Sequence, residues 1–446
     1  MKRLMLAMLA IGTIFMFSAA GCVLLPATIN DTCGGDVTAQ LNSWMASQPS
    51  GTVVELPTNA CYLVSSSSPL VRGGGPATSP TFVIHNTNDL TIVGNGATFR
   101  QTSFDGGKCG SDLQQPVVWL AANHDLTIKN VNIVGPGNCV GGGLNEGDTG
   151  LLIGQDTTGN TGITLDNVNI SNMDGDGILD TPYIAANLGV NANVTYEDST
   201  ISNVGYHVLT VEGADGLVFA HNHVTHDAGF MNLEVDNACG SDSCLTNGQP
   251  TGIAQWNIAV EGNSFTDSRS NNSAWIFSEQ DNCIPQKNLT ISDNTLDSTV
   301  SAGIVLGGSR EADCQANDTG LSIVGNRALN ATASPCGGAI TSPPGCAIIE
   351  VEDYTGVTIE NNTIPAFDGL PNYFPNTPYV PCMGLQAVNT ATIANNACPG
   401  AWNGVGISGM QFPALTPVNT GLRECGTSWG AATNPGKDGG CAAGTS

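Results

Sequence analysis

The chain has 446 residues, 11% of them charged, with 12 basic against 38 acidic side chains and a formal charge of −26. Its acid content is ordinary and its shortage of base is not; such a field repels polyanions and excludes nucleic acid as a partner. It tolerates neutral glycans and attracts divalent cations, and the 56 glycines suit many tight turns between short strands.

Lys2 and Arg3 precede an apolar run from Leu4 to Phe17 that ends in Ser18-Ala19-Ala20-Gly21-Cys22. The run is too short for a transmembrane helix and has the form of a secretory signal over residues 1–21. Ala19-Ala20-Gly21-Cys22 resembles a bacterial lipobox, with Cys22 as the lipidated first residue; alternatively Ser18-Ala19-Ala20 serves an ordinary signal peptidase. Parity favours the first reading, because removing Cys22 from 15 cysteines leaves 14, which can all pair. So many cysteines in an exported chain imply disulfides. Without Lys2 and Arg3 the mature chain keeps ten basic residues against 38 acidic ones, a charge of −28. Its expected contact with a membrane is the N-terminal lipid alone.

Residues 22–35 read as a linker. Val37, Leu41, Trp44 and Met45 then fall on one helical face, with Asp36 as the N-cap. A solenoid must seal its open apolar end, so this helix is the expected N-terminal cap. The segments from Thr52 and from Cys61 begin the coils.

Ten short strands follow, each opened by an apolar residue and each running into a turn, usually through Asn. They open at Leu90, Leu126, Ile163, Val194, Leu217, Ile258, Leu289, Leu321, Val357 and Ala391, spaced 36, 37, 31, 23, 41, 31, 32, 36 and 34 residues apart. Periods of about 20–50 residues mark stacked repeats, whose units cannot bury their apolar faces alone. Each coil adds a second short strand, a polar or Gly-rich bend and a third strand. Cys283 and Cys314 share the 31-residue offset of their coils, which places them one above the other as a disulfide requires. Cys239/Cys244, Cys336/Cys346 and Cys425/Cys441 read as local staples. The coils fill residues 36–408, and residues 409–446 read as a disulfide-tethered tail without strand pattern.

Aligning Leu209, Leu233, Phe277, Leu306 and Ile349 as inward residues of the third strand points Thr210, Glu234, Ser278, Gly307 and Glu350 outward in one row. Glu212, Asp236, Gln280, Ser309 and Glu352 form the next. Stacked carboxylates raise one another's pKa and can supply an acid and a base; outward strand positions are also polar by default. A second group lies at Asp174-Gly175-Asp176 and Asp180, with His207, His226 and Asp267 on the following coils. Asn172, Asn203, His226, Asp267 and Ser298 align in one row. Carboxylates beside histidines form an acid–base set, and Gly-Asp-Gly is also a common turn. Four histidines, His207, His221, His223 and His226, raise a transition metal. Calcium fits the Asp, Glu and turn carbonyls better, and no cofactor is required by the sequence.

The repeated Leu-Thr-Ile-x-x-Asn turn-and-strand unit, behind a capping helix and Gly51-Thr52-Val53-Val54-Glu55-Leu56-Pro57, resembles the pectate-lyase-like superfamily. The resemblance implies an all-β, right-handed parallel β-helix of ten or more coils, and an extracellular polysaccharide as partner of a monomer. Asp174-Gly175-Asp176 is similar to the aspartate turn of polygalacturonase-type hydrolases, whose other motifs, GHG and RIK, are missing here. Superfamily lyases use Lys or Arg as base, and only Arg269 and Arg310 fall near the acidic rows. Hydrolysis of a neutral or weakly charged glycan therefore ranks above elimination. The expected reacting group is Asp174, Asp176, His207, His226 and Asp267, with Arg269, Glu234, Asp236 and Arg310 as substrate contacts. The alternative is a non-catalytic cell-surface adhesin or glycan-binding protein. Trp119, Trp256, Trp275 and Trp402 read as sugar-stacking platforms, or as aromatics that plug the interior or pack under a loop.

Overall fold

The structure, a computed structural model, describes residues 22–64, 81–102, 115–137, 148–182, 189–225, 233–236, 245–246, 249–250, 255–266, 276–278, 286–297, 304–306, 318–329, 349–352, 354–363, 383–386, 388–397, 407–409 and 420–426. For several strand residues, Glu234, Asp236 and Glu350 among them, it describes the backbone only. The strands wind into a parallel solenoid, with a 20-stranded sheet wrapping two sides and an 11-stranded sheet forming the third.

One row of side chains sets the rise. Leu90, Leu126, Ile163, Val194, Leu217, Ile258, Leu289, Leu321, Val357 and Ala391 pair consecutively, rung on rung, and the row ends at Leu422. All ten predicted strand openings thus stand in one inward column, and all are buried. Alternation sends the intervening Thr and charged residues outward. Burying one such aliphatic side chain is worth about 1.5–3 kcal/mol, so the column is a large part of what holds the coils together.

The corner between first and second strands explains the repeated Asn. At His221-Asn222, Gly262-Asn263, Asp293-Asn294, Gly325-Asn326, Asn361-Asn362 and Asn395-Asn396, the first residue is left-handed, with φ between 53° and 71°. That conformation suits Gly, Asn and Asp. The second residue turns inward. Asn263 accepts the Asn222 N–H at 2.8 Å, and donates to the Phe219 carbonyl at 2.8 Å and to Asn294 Oδ1 at 2.9 Å. The same bonds recur through Asn294, Asn326, Asn362 and Asn396. A second buried ladder, Asn123, Asn160 and Asn191, fills another corner of the N-terminal half.

Thr38–Met45 is the helix at the N-terminal end, burying Thr38, Leu41 and Met45. Asn42 donates to the Thr81 carbonyl at 2.9 Å and accepts the Val83 N–H at 2.9 Å, pairing backbone groups that the first third-side strand would leave open. Asp36 acts one residue further out than expected. Val37 holds the N-cap position, while Asp36 Oδ1 accepts the Thr38 N–H at 2.9 Å and its hydroxyl at 2.6 Å.

Four expectations change. Residues 22–35 contain strand rather than plain linker: Cys22–Leu24 pairs with Val53–Glu55, and Thr32–Asp36 pairs with Cys61–Leu63 beside a Cys33–Cys61 disulfide. The tail also carries a strand, Thr420–Cys425, that adds a rung on Asn389–Ala394. The second side, expected as a strand in every coil, narrows toward the C-terminus to single bridges, Arg327–Thr363 and Thr363–Ala397. Finally, the third-strand register differs from the alignment above. Leu233 pairs with Ile276, not Phe277, and Ile276 with Ile304, not Leu306. Cys283 and Cys314 lie outside the described residues.

Candidate functional site

The third side changes character along its length. In its N-terminal half the outward positions Val83, Trp119, Leu152 and Leu179 are consecutive rungs and form a buried apolar cluster with Ala121. Trp119 is therefore neither an exposed platform nor an interior plug but is buried on the outer face, its indole N–H donating to the Gly154 carbonyl at 2.8 Å. From Leu179 the row passes to Thr210 and then Glu234, and beside it Glu212 pairs with Asp236. The acidic rows of the sequence alignment start as expected. Phe277 and Val305 then separate Glu234 from Glu350, because the register puts them where Ser278 and Gly307 were aligned.

Next to this transition, three bends pack on one another. The Gly175 N–H donates to the Asp148 carbonyl at 3.0 Å and the Tyr206 N–H to the Gly175 carbonyl at 3.1 Å. The Gly150 N–H donates to the Asp176 carbonyl at 3.0 Å and the Gly177 N–H to the His207 carbonyl at 2.8 Å. Small residues are required here: a Cβ on Gly205 would lie 2.2 Å from the Asp174 carbonyl oxygen, and one on Gly177 2.6 Å from that of Val208. The Asp-Gly-Asp-Gly sequence is therefore a packing solution as well as a source of carboxylates.

Asp176 and His207 meet there. Asp176 Oδ1 accepts the His207 backbone N–H at 3.0 Å and lies 3.7 Å from His207 Nδ1. The Thr210 hydroxyl donates to Asp176 Oδ2 at 3.4 Å and sits 2.9 Å from His207 Nδ1. With its proton directed to Asp176, Thr210 receives the Nδ1–H of His207, and the ring lone pair falls on Nε2. Tyr206 packs on the imidazole, with ring centroids 3.7 Å apart. The result is a carboxylate–hydroxyl–imidazole relay able to orient a histidine base and balance its positive charge. Asp174, Asp176 and His207 are each buried to 1% exposure or less.

Asp180, in the same coil, does not join them. It occupies the inward row between Ile153 and Val211 and is buried within the solenoid. Asn191 donates to its Oδ1 at 2.6 Å, while Oδ2 has no partner. Burial pushes its carboxyl up to about 7; the Asn191 hydrogen bond opposes that rise and Glu212 adds to it.

Of the other expected residues, His226, Asp267, Arg269 and Arg310 lie outside the described residues, and Glu234 and Asp236 are placed by backbone register only. Asn203 donates to Asn172 at 2.6 Å, as their shared row predicts. His221 and His223 flank Asn222 at a different corner from His207. Among the described residues no group of three or more His, Cys, Asp and Glu is placed to hold a metal. The buried pair Asp148 and Thr149 was missed, and lies in the bend directly below Asp176.

No family model and no curated protein sequence matches the chain. Its fold does have counterparts among solved structures. The A-module of the mannuronan C-5 epimerase AlgE4 of Azotobacter vinelandii has a TM-score of 0.55 at 13% identity, over 93% of this chain and 97% of that one. The AlgE6 A-module of the same organism has a TM-score of 0.55 at 12% identity, over 91% and 95%. An N-terminal fragment of bacteriophage Phi29 gene product 12 has a TM-score of 0.52 at 12% identity, over 91% of this chain and 66% of that one. The chain has the right-handed parallel β-helix of the pectate-lyase type. At these identities the likeness is one of fold.

Proposed function

We propose that this chain is an exported polysaccharide-active protein that cleaves a glycan by carboxylate–histidine chemistry on the third side of the solenoid. The observation that carries the reading is the Asp176–Thr210–His207 relay, at the point where that side turns from apolar to acidic. The two A-modules with this fold are named for action on mannuronan, which supports a polysaccharide as the substrate class. Asp174 and Asp176 supply the carboxyl pair of a hydrolysis, one protonating the leaving oxygen and one activating water. His207 is the oriented base beside them. His226 and Asp267 complete the group, and Arg269, Arg310, Glu234 and Asp236 contact the sugar.

Hydrolysis is favoured over elimination by the placement of base. Each described Lys and Arg (Arg100, Lys129, Lys287, Arg327 and Arg423) lies on the 20-stranded sheet. The 11-stranded sheet carries Asp180, Glu212, Glu234, Asp236, Glu350 and Glu352. Export by residues 1–21 with acylation at Cys22 is part of the proposal. It is supported by Cys22 being exposed and outside any disulfide while Cys33, Cys61 and Cys425 are in disulfides.

One observation favours the second reading, a non-catalytic surface solenoid: Asp174, Asp176 and His207 are buried, and Asp176 and His207 bond to one another. The mature protein is to be screened on neutral and acidic polysaccharides, with and without calcium, following reducing ends and the absorbance of unsaturated sugar. Asp174→Asn/Asp176→Asn and His207→Ala are expected to lower turnover by about 10²-fold or more. Turnover that persists in both variants removes this site, and binding without turnover on any glycan establishes the second reading.

A further inference from the structure

Trp256 stands apart from the third side. It opens the strand Gln255–Glu261 and, unlike Trp119, leaves 41% of its surface exposed; among the described residues it is the one exposed large aromatic. The rungs on either side of it are Asp215 and Lys287. The Lys287 ammonium lies 5.3 Å from the indole centroid, a cation–π contact that holds the ring in place. One residue on, a polar ribbon runs parallel to this column. Asn257 donates its amide to Asp215 Oδ1 at 2.8 Å, and Asn288 donates to Asn257 Oδ1 at 2.8 Å. Both asparagines are exposed and left-handed, with φ of 58° and 57°.

Each of these amides has two N–H groups and spends one along the ribbon, leaving the other, and the Asn288 oxygen, for a ligand. Asp215 and Lys287 balance in charge, so the patch is neutral on a strongly acidic protein. A pinned aromatic face beside unspent amide donors and acceptors matches a pyranose ring, apolar on its faces and hydroxylated at its edge. We infer that Trp256, Lys287, Asn257 and Asn288 form a second glycan-binding site, for a neutral polysaccharide, on a different side of the solenoid from Asp176 and His207. The inference rests on the reading that the protein meets polysaccharide, and needs no turnover.

Affinity electrophoresis of the mature protein tests it, through gels containing a mixed-linkage β-glucan, a galactomannan, a xylan or, as the anionic arm, polymannuronate. The wild type is expected to be retarded in at least one neutral gel. Trp256→Ala is expected to weaken that retardation about tenfold or more, while Trp256→Phe, which keeps an aromatic face, retains most of it. Asp176→Asn is expected to bind like wild type, which separates this site from the proposed catalytic one. Equal retardation of Trp256→Ala and wild type, no retardation in any neutral gel, or retardation by polymannuronate alone would each overturn the inference. Loss of turnover with unchanged retardation in the Asp176 variant would leave it standing.

Discussion

Asn191 donates its side-chain amide to Asp180 at 2.6 Å, at the last rung of the ladder that Asn123 and Asn160 begin. In the rungs below, the ladder amides donate to the Ile84, Leu120 and Ile153 carbonyls. On the next rung Ala214 replaces Asn191, so no further amide continues the series. A carboxyl inside the solenoid takes up the amide at the end of the ladder.

That carboxyl makes stability depend on pH. Its folded value of about 7 exceeds the unfolded value of about 4, so the folded chain holds the proton more tightly. Stability is then greatest below about pH 4, falls as pH rises, and the loss is complete above about pH 7. The difference is on the order of 4 kcal/mol. Urea melts of Asp180→Asn are expected to lose most of the fall seen between pH 5 and pH 8 in the wild type. Equal falls in both would show that Asp180 does not carry it.

The inward asparagines are expected to be costly to remove. Asn263→Ala leaves the Asn222 N–H and the Phe219 carbonyl without their partners inside the solenoid. At about 1–3 kcal/mol for each stranded group, the variant should lose about 2–6 kcal/mol. A loss below about 0.5 kcal/mol in equilibrium unfolding would mean that water or relaxation replaces the ladder.

The Cys33–Cys61 disulfide closes a 28-residue separation at the N-terminal end. Loop-closure entropy puts its worth at about 3.5 kcal/mol. In Cys33→Ser/Cys61→Ser, faster amide exchange is expected in Thr32–Asp36 and Cys61–Leu63, with the strands around Leu289 unaffected. Uniform acceleration along the chain would contradict this end-localised role.

Lys129 and Asp166 form an ion pair at 3.2 Å across adjacent rungs, with their side chains 43% and 32% exposed. Screening and side-chain entropy reduce such pairs to about 0–1 kcal/mol. Lys129→Met is expected to shift stability by less than about 0.5 kcal/mol, and a larger loss would point to packing of the lysine stem.

The rise of the solenoid was legible because an aliphatic residue opens every coil: Leu90 through Ala391 are all aliphatic, and eight of the ten stand ahead of an outward Thr or Ser. The third strand was harder. Ile276-Phe277 and the run Ile304-Val305-Leu306 offer adjacent apolar residues, so phase is not fixed by hydrophobicity, and the backbone chose the earlier residue in each. The meeting of Asp176 with His207 was readable from a 31-residue offset matching that of their coils. The role of Thr210 was not, since a hydroxyl in an outward row looks like ordinary surface until the imidazole is placed beside it. Asp148 and Thr149 were hidden because alignment of the short run Leu151–Gly154 to Ile178–Thr181 is needed to set them below Asp176. Asp180 misled for a different reason. A carboxyl on an inward row breaks the alternation from which orientation is read, so it was grouped with its outward-looking neighbours.

The pairing of Cys22 with Val53 bears on how the protein would stand on a lipid surface. An acyl chain on Cys22 would join the bilayer to the first rung itself, with no slack segment between. The long axis could then not swing freely, and the distance of each coil from the headgroups would be set by its rung number.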